Sequence, residues 1–220
     1  KFYVLEPSLE NLNLAKKRLI GKKHKDVEIT FFNLAIGVKN STKTFYFSTS
    51  RPNLNSLIPR DIHDSKKSIN FRKLEDFCIE EKINSPLFIK MDIEGQEVSV
   101  LSSSIKFLKS IENVSILVEI HPTNYSPHNS FYETLIKLFS IGFKPEIVES
   151  AGTPIPKKFK EHGYLPFEIN QGRGLYENIS EEFILNYATK NIQEYLPEFR
   201  GENDVLTLKQ IRSILFTKEN

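Results

Sequence analysis

Continuous apolar runs alternate along this chain with segments whose apolar residues recur at helical spacing. Buried strands are predicted where the apolar runs are continuous: residues Phe2–Leu5, 27–34, Leu87–Met91, 113–120 and 143–148. Amphipathic helices are predicted after most of them. Such alternation is typical of a parallel sheet with helices on both faces. The pattern therefore predicts an α/β fold with a mostly parallel, doubly wound sheet.

The remaining segments carry weaker patterns. Residues 42–48 alternate between apolar and polar side chains and are predicted as an extra strand, whereas 51–68 is polar and predicted as a loop. Prolines and glycines in 152–174 predict a loop or lid, followed by a helix capped by Ser180 and a short strand at 204–208. No repeat or low-complexity tract divides the chain, so one domain is predicted.

The composition is that of a folded domain without a strong overall charge. The 220 residues are 39% hydrophobic and 26% charged, and 30 basic side chains nearly balance 28 acidic ones. This balance gives no electrostatic reason to expect a nucleic acid or an anionic membrane as partner. The single cysteine, Cys78, excludes an internal disulfide and is typical of a reducing compartment, which predicts a cytoplasmic protein. No apolar run reaches the roughly 18 residues that a membrane span needs.

Polar side chains follow several predicted strands at the point where each strand ends. In an open parallel sheet, ligands bind beyond the carboxyl ends of the strands, because loops converge there and helix N-termini point inward. This rule selects a short set of candidates: Glu6, Asn33, Ala35, Asp92, Glu94, Glu119 and His121. The set predicts a binding site along one edge of the sheet, with Glu6, Asp92 and Glu119 surrounding a single small molecule.

Glu6 closes a strand that leads into a helix. A carboxylate in this position can accept two hydrogen bonds from a ribose diol. It can equally serve the helix that begins near Ser8, because a negative charge at a helix N-terminus is stabilised by the helix dipole. Position alone leaves both interpretations open.

The segment Asp92-Ile-Glu-Gly-Gln-Glu97 carries three carboxylates within six residues. Such groups can cap a helix and interact with its dipole, contributing roughly 0.3–1 kcal/mol each. They can also form an acidic floor beside a reacting centre. Lys90 shares a strand face with Asp92, and a lysine late in an apolar strand needs a carboxylate partner or a route to water. The functional interpretation is favoured here.

Glu119 and His121 also share one face of their strand by alternation. Together they can act as a general base and the group that orients it, or they can form a satisfied pair in the core. A metal site built from these two residues with Asp92 and Glu94 has suitable ligand types, but the spacing lacks the regularity of a helical HxxxH or a CxxC pair. No metal is therefore predicted.

Five segments that contain these candidates carry a family likeness. They are Tyr3-Val-Leu-Glu-Pro7, Asn33-Leu-Ala-Ile-Gly37, Phe71-Arg-Lys-Leu-Glu-Asp-Phe77, Ile89-Lys-Met-Asp-Ile-Glu-Gly-Gln-Glu97 and Leu117-Val-Glu-Ile-His121. Over residues 1–148 the chain resembles the FkbM family of methyltransferases. The most specific part of the resemblance runs from Lys90 to Glu97.

The resemblance implies a class I methyltransferase with a Rossmann-like fold over residues 1–220. Residues 1–150 would form the cofactor-binding core, and 151–220 the lid, the acceptor region and a final strand. The implied reaction transfers the methyl group of S-adenosylmethionine to a hydroxyl oxygen of a small-molecule or glycan acceptor, such as a sugar or a polyketide. Enzymes of this fold begin with a strand and a glycine-rich turn that nothing before Lys1 supplies. We therefore expect a sequence that lacks its first, central strand.

The family's site residues can be carried over by position. The resemblance assigns Glu6 to the cofactor ribose, Asn33 and Ala35 to the strand end lining the adenine, Asp92 and Glu94 to the methionine moiety and transferable methyl, and Glu119 and His121 to the acceptor. The catalytic hypothesis is that His121 or Asp92 takes the hydroxyl proton, with Glu119 as its orienting group. Three alternatives remain: a nicotinamide-dependent oxidoreductase, a non-catalytic, methyltransferase-like scaffold, and a metal-assisted methyltransferase, which would lose activity in the presence of a chelator.

Overall fold

The structure is a computed structural model that describes residues 1–20, 27–50, 55, 57, 59, 61–125, 130–188 and 210–219. The chain divides into two compact units, Lys1–Glu81 and Lys82–Asn220. Among the described helices, none combines the length and the apolar character that crossing a bilayer requires. The single domain expected from the sequence stays a prediction.

The first unit contains two small sheets and two helices. Its elements are β1 (Phe2–Leu5), α1 (Leu9–Ile20), β2 (Ile29–Phe32), β3 (Ala35–Gly37), β4 (Ser41–Phe47), β5 (Ser65–Lys73) and α2 (Leu74–Glu80). Strands β1 and β2 pair in parallel, with Leu5 opposite Phe32. In the other sheet β5 lies in the middle, parallel to β3 and antiparallel to β4.

Aromatic and aliphatic side chains close the first unit. The ring of Phe77 meets Phe32 edge-on at 5.1 Å and Tyr3 at 6.0 Å, so α2 packs on the β1–β2 pair. Ser8 caps α1, because its hydroxyl accepts a hydrogen bond from the Asn11 N–H at 3.3 Å. Cys78 is buried in the core, and desolvation raises the pKa of its thiol to about 11.

The second unit is built on one six-stranded sheet. Its elements are β6 (Leu87–Met91), α3 (Glu97–Ser110), β7 (Val114–Glu119), a 3-10 helix (Pro122–Asn124), α4 (Phe131–Ser140), β8 (Lys144–Ser150), α5 (Lys157–Glu161), β9 (Glu168–Asn170), β10 (Arg173–Tyr176), α6 (Glu181–Tyr187) and β11 (Ile211–Lys218). The strand order is β6-β7-β11-β8-β10-β9. Strands β6 and β7 pair in parallel, and every other neighbouring pair is antiparallel.

The structure confirms an α/β architecture, but its sheets are mixed rather than mostly parallel. The main cause is β11, which runs antiparallel between β7 and β8. The doubly wound arrangement with a missing central strand stays a prediction. Strands β6 and β7 and the helix capped by Ser180 lie where the sequence predicts them, and the Ser180 hydroxyl accepts from the Phe183 N–H at 3.1 Å.

Three segment predictions differ from the structure. The predicted loop 51–68 overlaps β5, which pairs with β4 over residues Ser65–Phe71. The predicted loop 152–174 contains α5, β9 and the start of β10. The strand predicted at 204–208 lies outside the described residues, and the strand that the structure does describe in this part of the chain is β11.

Candidate functional site

In the second unit, β6 and β7 bring two polar segments to the same edge of the sheet. The strands are parallel, with Met91 opposite Val118, so the residues that follow each strand emerge side by side. Asp92 directly follows β6, and His121 follows β7 by two residues. The last paired residues at this edge, Met91 and Val118, are both buried and hold the two strand ends in the core.

The imidazole of His121 is held by a buried carboxylate. Its Nδ1 lies 2.8 Å from Oε1 of Glu97, the first residue of α3, and the Glu97 side chain is completely buried. The same Oε1 accepts a hydrogen bond from the Ile93 N–H at 3.1 Å. Oε2 of Glu97 is buried, and within the described part of the chain it has no hydrogen-bond partner. A carboxylate on Nδ1 favours the tautomer with its proton there and leaves Nε2 as an acceptor.

The Nε2 atom of His121 faces two further carboxylates. It lies 3.8 Å from Oδ1 of Asp92 and 3.8 Å from Oε1 of Glu94. One ligand atom from each of the three residues falls within 4.8 Å of the others. The Lys90 ammonium lies 3.3 Å from the second oxygen of Asp92, which agrees with the predicted shared strand face. His121 is mostly buried, and the two carboxylates are partly open to solvent.

A strained turn positions Glu94. Its φ is 53°, in the left-handed region that few non-glycine residues adopt, and Gly95 follows with a φ of 93°. The Asn124 amide donates a hydrogen bond to the Glu94 carbonyl oxygen at 3.2 Å. A Cβ on Gly95 would lie 2.3 Å from the Cβ of Asn124, so this position requires glycine. The turn and the 3-10 helix therefore fix each other.

Tyr125 closes the site beneath His121. Its hydroxyl accepts a hydrogen bond from the His121 backbone N–H at 3.0 Å. Burial, and after it the nearby Glu97 carboxylate, hold the pKa of this hydroxyl well above its usual range. Tyr125 therefore remains a neutral positioning group.

Glu119 occupies a different environment from the one expected. Its carboxylate lies 2.7 Å from the guanidinium of Arg212 on β11, and Arg212 also approaches Glu149 at 3.8 Å. The contact that orients the His121 ring comes from Glu97, not from Glu119. The predicted pairing of Glu119 with His121 therefore does not describe the ion pairs of this site.

In the first unit, two of the predicted cofactor residues, Glu6 and Asn33, meet at the turn after β1. Oε1 of Glu6 accepts a hydrogen bond from the Ser8 N–H at 2.7 Å, and burial is the main cause that raises the pKa of this carboxyl. The Asn33 amide donates to the carbonyl oxygens of Glu6 at 3.0 Å and Pro7 at 2.9 Å. Ala35 begins β3. Glu6 and Asn33 are thus neighbours because β1 and β2 end together.

The structure brings Asp92, Glu94 and His121 together, and brings Glu6 together with Asn33. Sequence reasoning missed Tyr125 and did not single out Glu97 as a site residue. It placed Glu97 in an acidic segment that can cap a helix or form an acidic floor, and favoured the second interpretation. Nothing in the local pattern indicated that this carboxylate is buried against the imidazole of His121.

Comparisons with known proteins point to one family. The family model described as the methyltransferase FkbM domain matches residues 1–145. No curated protein shows significant similarity to the chain. Among solved structures, the chain is similar to the crystal structure of methyltransferase FkbM from Methylobacillus flagellatus KT, with 20% sequence identity and a TM-score of 0.36. That match covers 54% of this chain and 25% of the other, so this chain spans about a quarter of that protein's length.

Proposed function

The chain belongs to the FkbM methyltransferase domain family, and from this premise we propose that it is an S-adenosylmethionine-dependent O-methyltransferase. The family supports a methyltransferase role. The proposal adds the cofactor and the acceptor class, a hydroxyl group on a sugar, a polyketide or a related metabolite. The observation that carries it is the imidazole of His121, whose Nδ1 is fixed by Glu97 while Nε2 lies 3.8 Å from the carboxylates of Asp92 and Glu94, which are partly open to solvent.

The turn after β1 suits a ribose. An ionised carboxylate offers about four acceptor positions, and the Ser8 N–H occupies one of those on Glu6. The carboxylate therefore retains capacity for hydroxyl donors. Its partial burial strengthens any hydrogen bond that it accepts, because water competes less there. Asn33, bonded to the carbonyl oxygens of Glu6 and Pro7, keeps this turn in one conformation.

When bound, S-adenosylmethionine supplies an electrophilic methyl group on a positively charged sulfur. The protein then has to hold the acceptor in line and accept its proton. In the proposed assignment Nε2 of His121 would take the proton from the acceptor hydroxyl as its oxygen forms the new O–C bond, while the S–CH3 bond breaks and S-adenosylhomocysteine leaves. Glu97 stabilises the imidazolium that results, since its carboxylate lies at hydrogen-bond distance from Nδ1.

Asp92 and Glu94 have a second role in this assignment. Their carboxylates can accept hydrogen bonds from neighbouring hydroxyls of a polyol or from the positively charged part of the methionine moiety. Glu119 is proposed as a positioning residue, because Arg212 already neutralises its charge. In this assignment Glu119 still lies on the acceptor side of the site. Glu97, instead of Glu119, is the residue that orients the imidazole of His121.

The experiment combines binding with turnover. Calorimetry with S-adenosylhomocysteine should give saturable binding, and transfer of a labelled methyl group to a panel of sugars and polyketide alcohols should identify the acceptor class. Binding without transfer to any hydroxylated acceptor would support the non-catalytic scaffold. Binding of NAD in place of S-adenosylhomocysteine would support the oxidoreductase, and either result would overturn the proposal.

A further inference from the structure

We propose that Asp92, Glu94 and His121 bind a divalent transition-metal cation. Binding by itself does not depend on the proposed function, and only its role in methyl transfer rests on that function. Each residue contributes one lone-pair atom to a common point: a carboxylate oxygen from Asp92 and Glu94, and Nε2 from His121.

The spacing of these atoms is close to that of a metal site. Two ligands at about 2.1 Å from one ion lie about 3.0–3.5 Å apart when they occupy adjacent positions. The two distances from Nε2 to the carboxylates are both 3.8 Å, and the whole set falls within 4.8 Å. Small rotations of the partly exposed Asp92 and Glu94 side chains would bring all three atoms into coordination distance. The imidazole itself does not need to move.

Glu97 provides an independent reason for a cation here. It is completely buried, it lies 2.8 Å from Nδ1 of His121, and its Oε2 has no hydrogen-bond partner in the part of the chain that the structure describes. No Lys or Arg ammonium or guanidinium group within the described ranges forms an ion pair with it. A buried carboxylate is costly without positive charge nearby. A cation on Nε2 would supply that charge through the imidazole, and carboxylate–histidine–metal arrangements are common in metal sites.

The ligand set selects the class of metal. One imidazole and two carboxylates suit first-row divalent ions such as Mn²⁺, Fe²⁺ or Zn²⁺ better than Mg²⁺, which prefers oxygen ligands alone. Three protein ligands on a site partly open to solvent leave further positions for water or substrate oxygens. The site therefore has the form of a metal centre that can bind a hydroxylated ligand.

Under the proposed function, such a cation would change which group activates the acceptor hydroxyl. An acceptor hydroxyl bound to the metal would lose its proton more readily, and solvent water would accept that proton. His121 would then act as a metal ligand, and the metal would replace it as the group that activates the hydroxyl.

The test uses the whole chain stripped of metal and titrated with Mn²⁺. We expect one Mn²⁺ per chain by calorimetry, and nitrogen couplings from His121 in the electron-spin-echo spectrum. The variant combining Asp92→Asn with Glu94→Gln should weaken binding at least a hundredfold. Glu97→Gln should weaken it about 10–100-fold, since it removes the charge behind the imidazole. The control combines Glu168→Gln with Glu177→Gln, two exposed carboxylates of the same unit, and should bind as the parent does.

Two readouts keep the result interpretable. Circular dichroism establishes that each variant is folded, and His121→Gln should abolish the nitrogen couplings even if Mn²⁺ still binds weakly. Absence of saturable binding of both Mn²⁺ and Zn²⁺, or equal affinity in the parent and the Asp92/Glu94 double variant, would overturn the proposal. Methyl transfer that persists in excess chelator would remove the metal from catalysis and leave the imidazole as base. Metal binding without S-adenosylhomocysteine binding would instead contradict the proposed function.

Discussion

The two acidic strand ends of this protein, one in each unit, use their polar side chains differently. After β1, Glu6 accepts from the Ser8 backbone and Asn33 donates to the Glu6 and Pro7 backbone, so these groups stabilise the turn that carries them. After β6 and β7, the side chains contact one another, with His121 between Glu97 on one nitrogen and Asp92 and Glu94 near the other. The first arrangement suits holding a ligand, and the second suits moving a proton or binding a cation. Both groups of side chains lie at strand ends, and only their contacts show that the two groups differ.

The largest effect should come from the second unit. His121→Ala should lower methyl transfer at least a hundredfold, because it removes the base or the metal ligand. The affinity for S-adenosylhomocysteine, measured by calorimetry on the same preparation, should change by less than about twofold. If the affinity for S-adenosylhomocysteine falls as much as the turnover does, His121 contributes to cofactor binding. The two strand ends would then not differ in function as proposed.

Next in size is the backbone that holds Glu94 in place. Gly95→Ala should lower the free energy of unfolding by about 2–4 kcal/mol, because Gly95 has a φ of 93° and a Cβ there would lie 2.3 Å from Asn124. The matched control is Gly172→Ala, with a φ of 77° and no atom within 4 Å of the added Cβ, which should cost only about 1 kcal/mol. Urea denaturation followed by circular dichroism measures both. Equal losses would mean that contact with Asn124 does not stabilise the turn.

A smaller effect is expected at the first strand end. Glu6→Ala should weaken S-adenosylhomocysteine binding about tenfold, as the loss of charge-assisted hydrogen bonds predicts, and should leave the chemical step nearly unchanged. Glu10→Ala is the control, since Glu10 is an exposed carboxylate in the first turn of α1. If both variants bind S-adenosylhomocysteine equally well, Glu6 stabilises the turn after β1 and does not contact the cofactor.

The smallest effect concerns pH. Burial raises the pKa of Glu6 in the folded state, so its neutral form is favoured there. Relative to Glu6→Gln, the parent should therefore be most stable below the unfolded-state pKa, and this advantage should decline as pH rises through the higher folded-state pKa. Urea denaturation of both proteins at pH 3.5 and pH 7 measures the difference. A parent that instead gains stability on going to pH 7 would show that hydrogen bonds from Ser8 and Asn11 outweigh burial.

The elements that sequence predicted well are those whose apolar pattern is strong and local. Strand β6 lies at Leu87–Met91 as predicted, and α4 begins after Ser130, whose hydroxyl accepts from the Glu133 N–H at 3.3 Å. Strand β5 was missed because its first residues are mostly lysine and serine, and pairing with β4 outweighs their low strand propensity. Tertiary pairing of this kind leaves no trace in a local pattern.

The candidate site was predictable in its members but not in its contacts. The strand-end rule selected Asp92, Glu94 and His121, which the structure brings together. It could not separate Glu97, one helix turn away, from the exposed acidic residues found at other helix starts. It also could not reveal that Arg212 would neutralise Glu119, because Arg212 lies 93 positions along the chain, on a strand that the pattern did not predict.

Strand β11 has a consequence for how the second unit is made. It lies between β7 and β8, pairs with both, and carries Lys218, whose ammonium donates to the carbonyl oxygens of Leu108 at 2.8 Å and Lys109 at 3.0 Å at the end of α3. During synthesis, roughly sixty residues separate the end of β8 from the start of β11. Strands β7 and β8 are therefore made well before the strand that pairs with both of them. Pairings so distant along the chain fold slowly and leave unpaired strand edges exposed in the meantime. The nascent second unit is accordingly the part of this protein that we expect to depend most on chaperones.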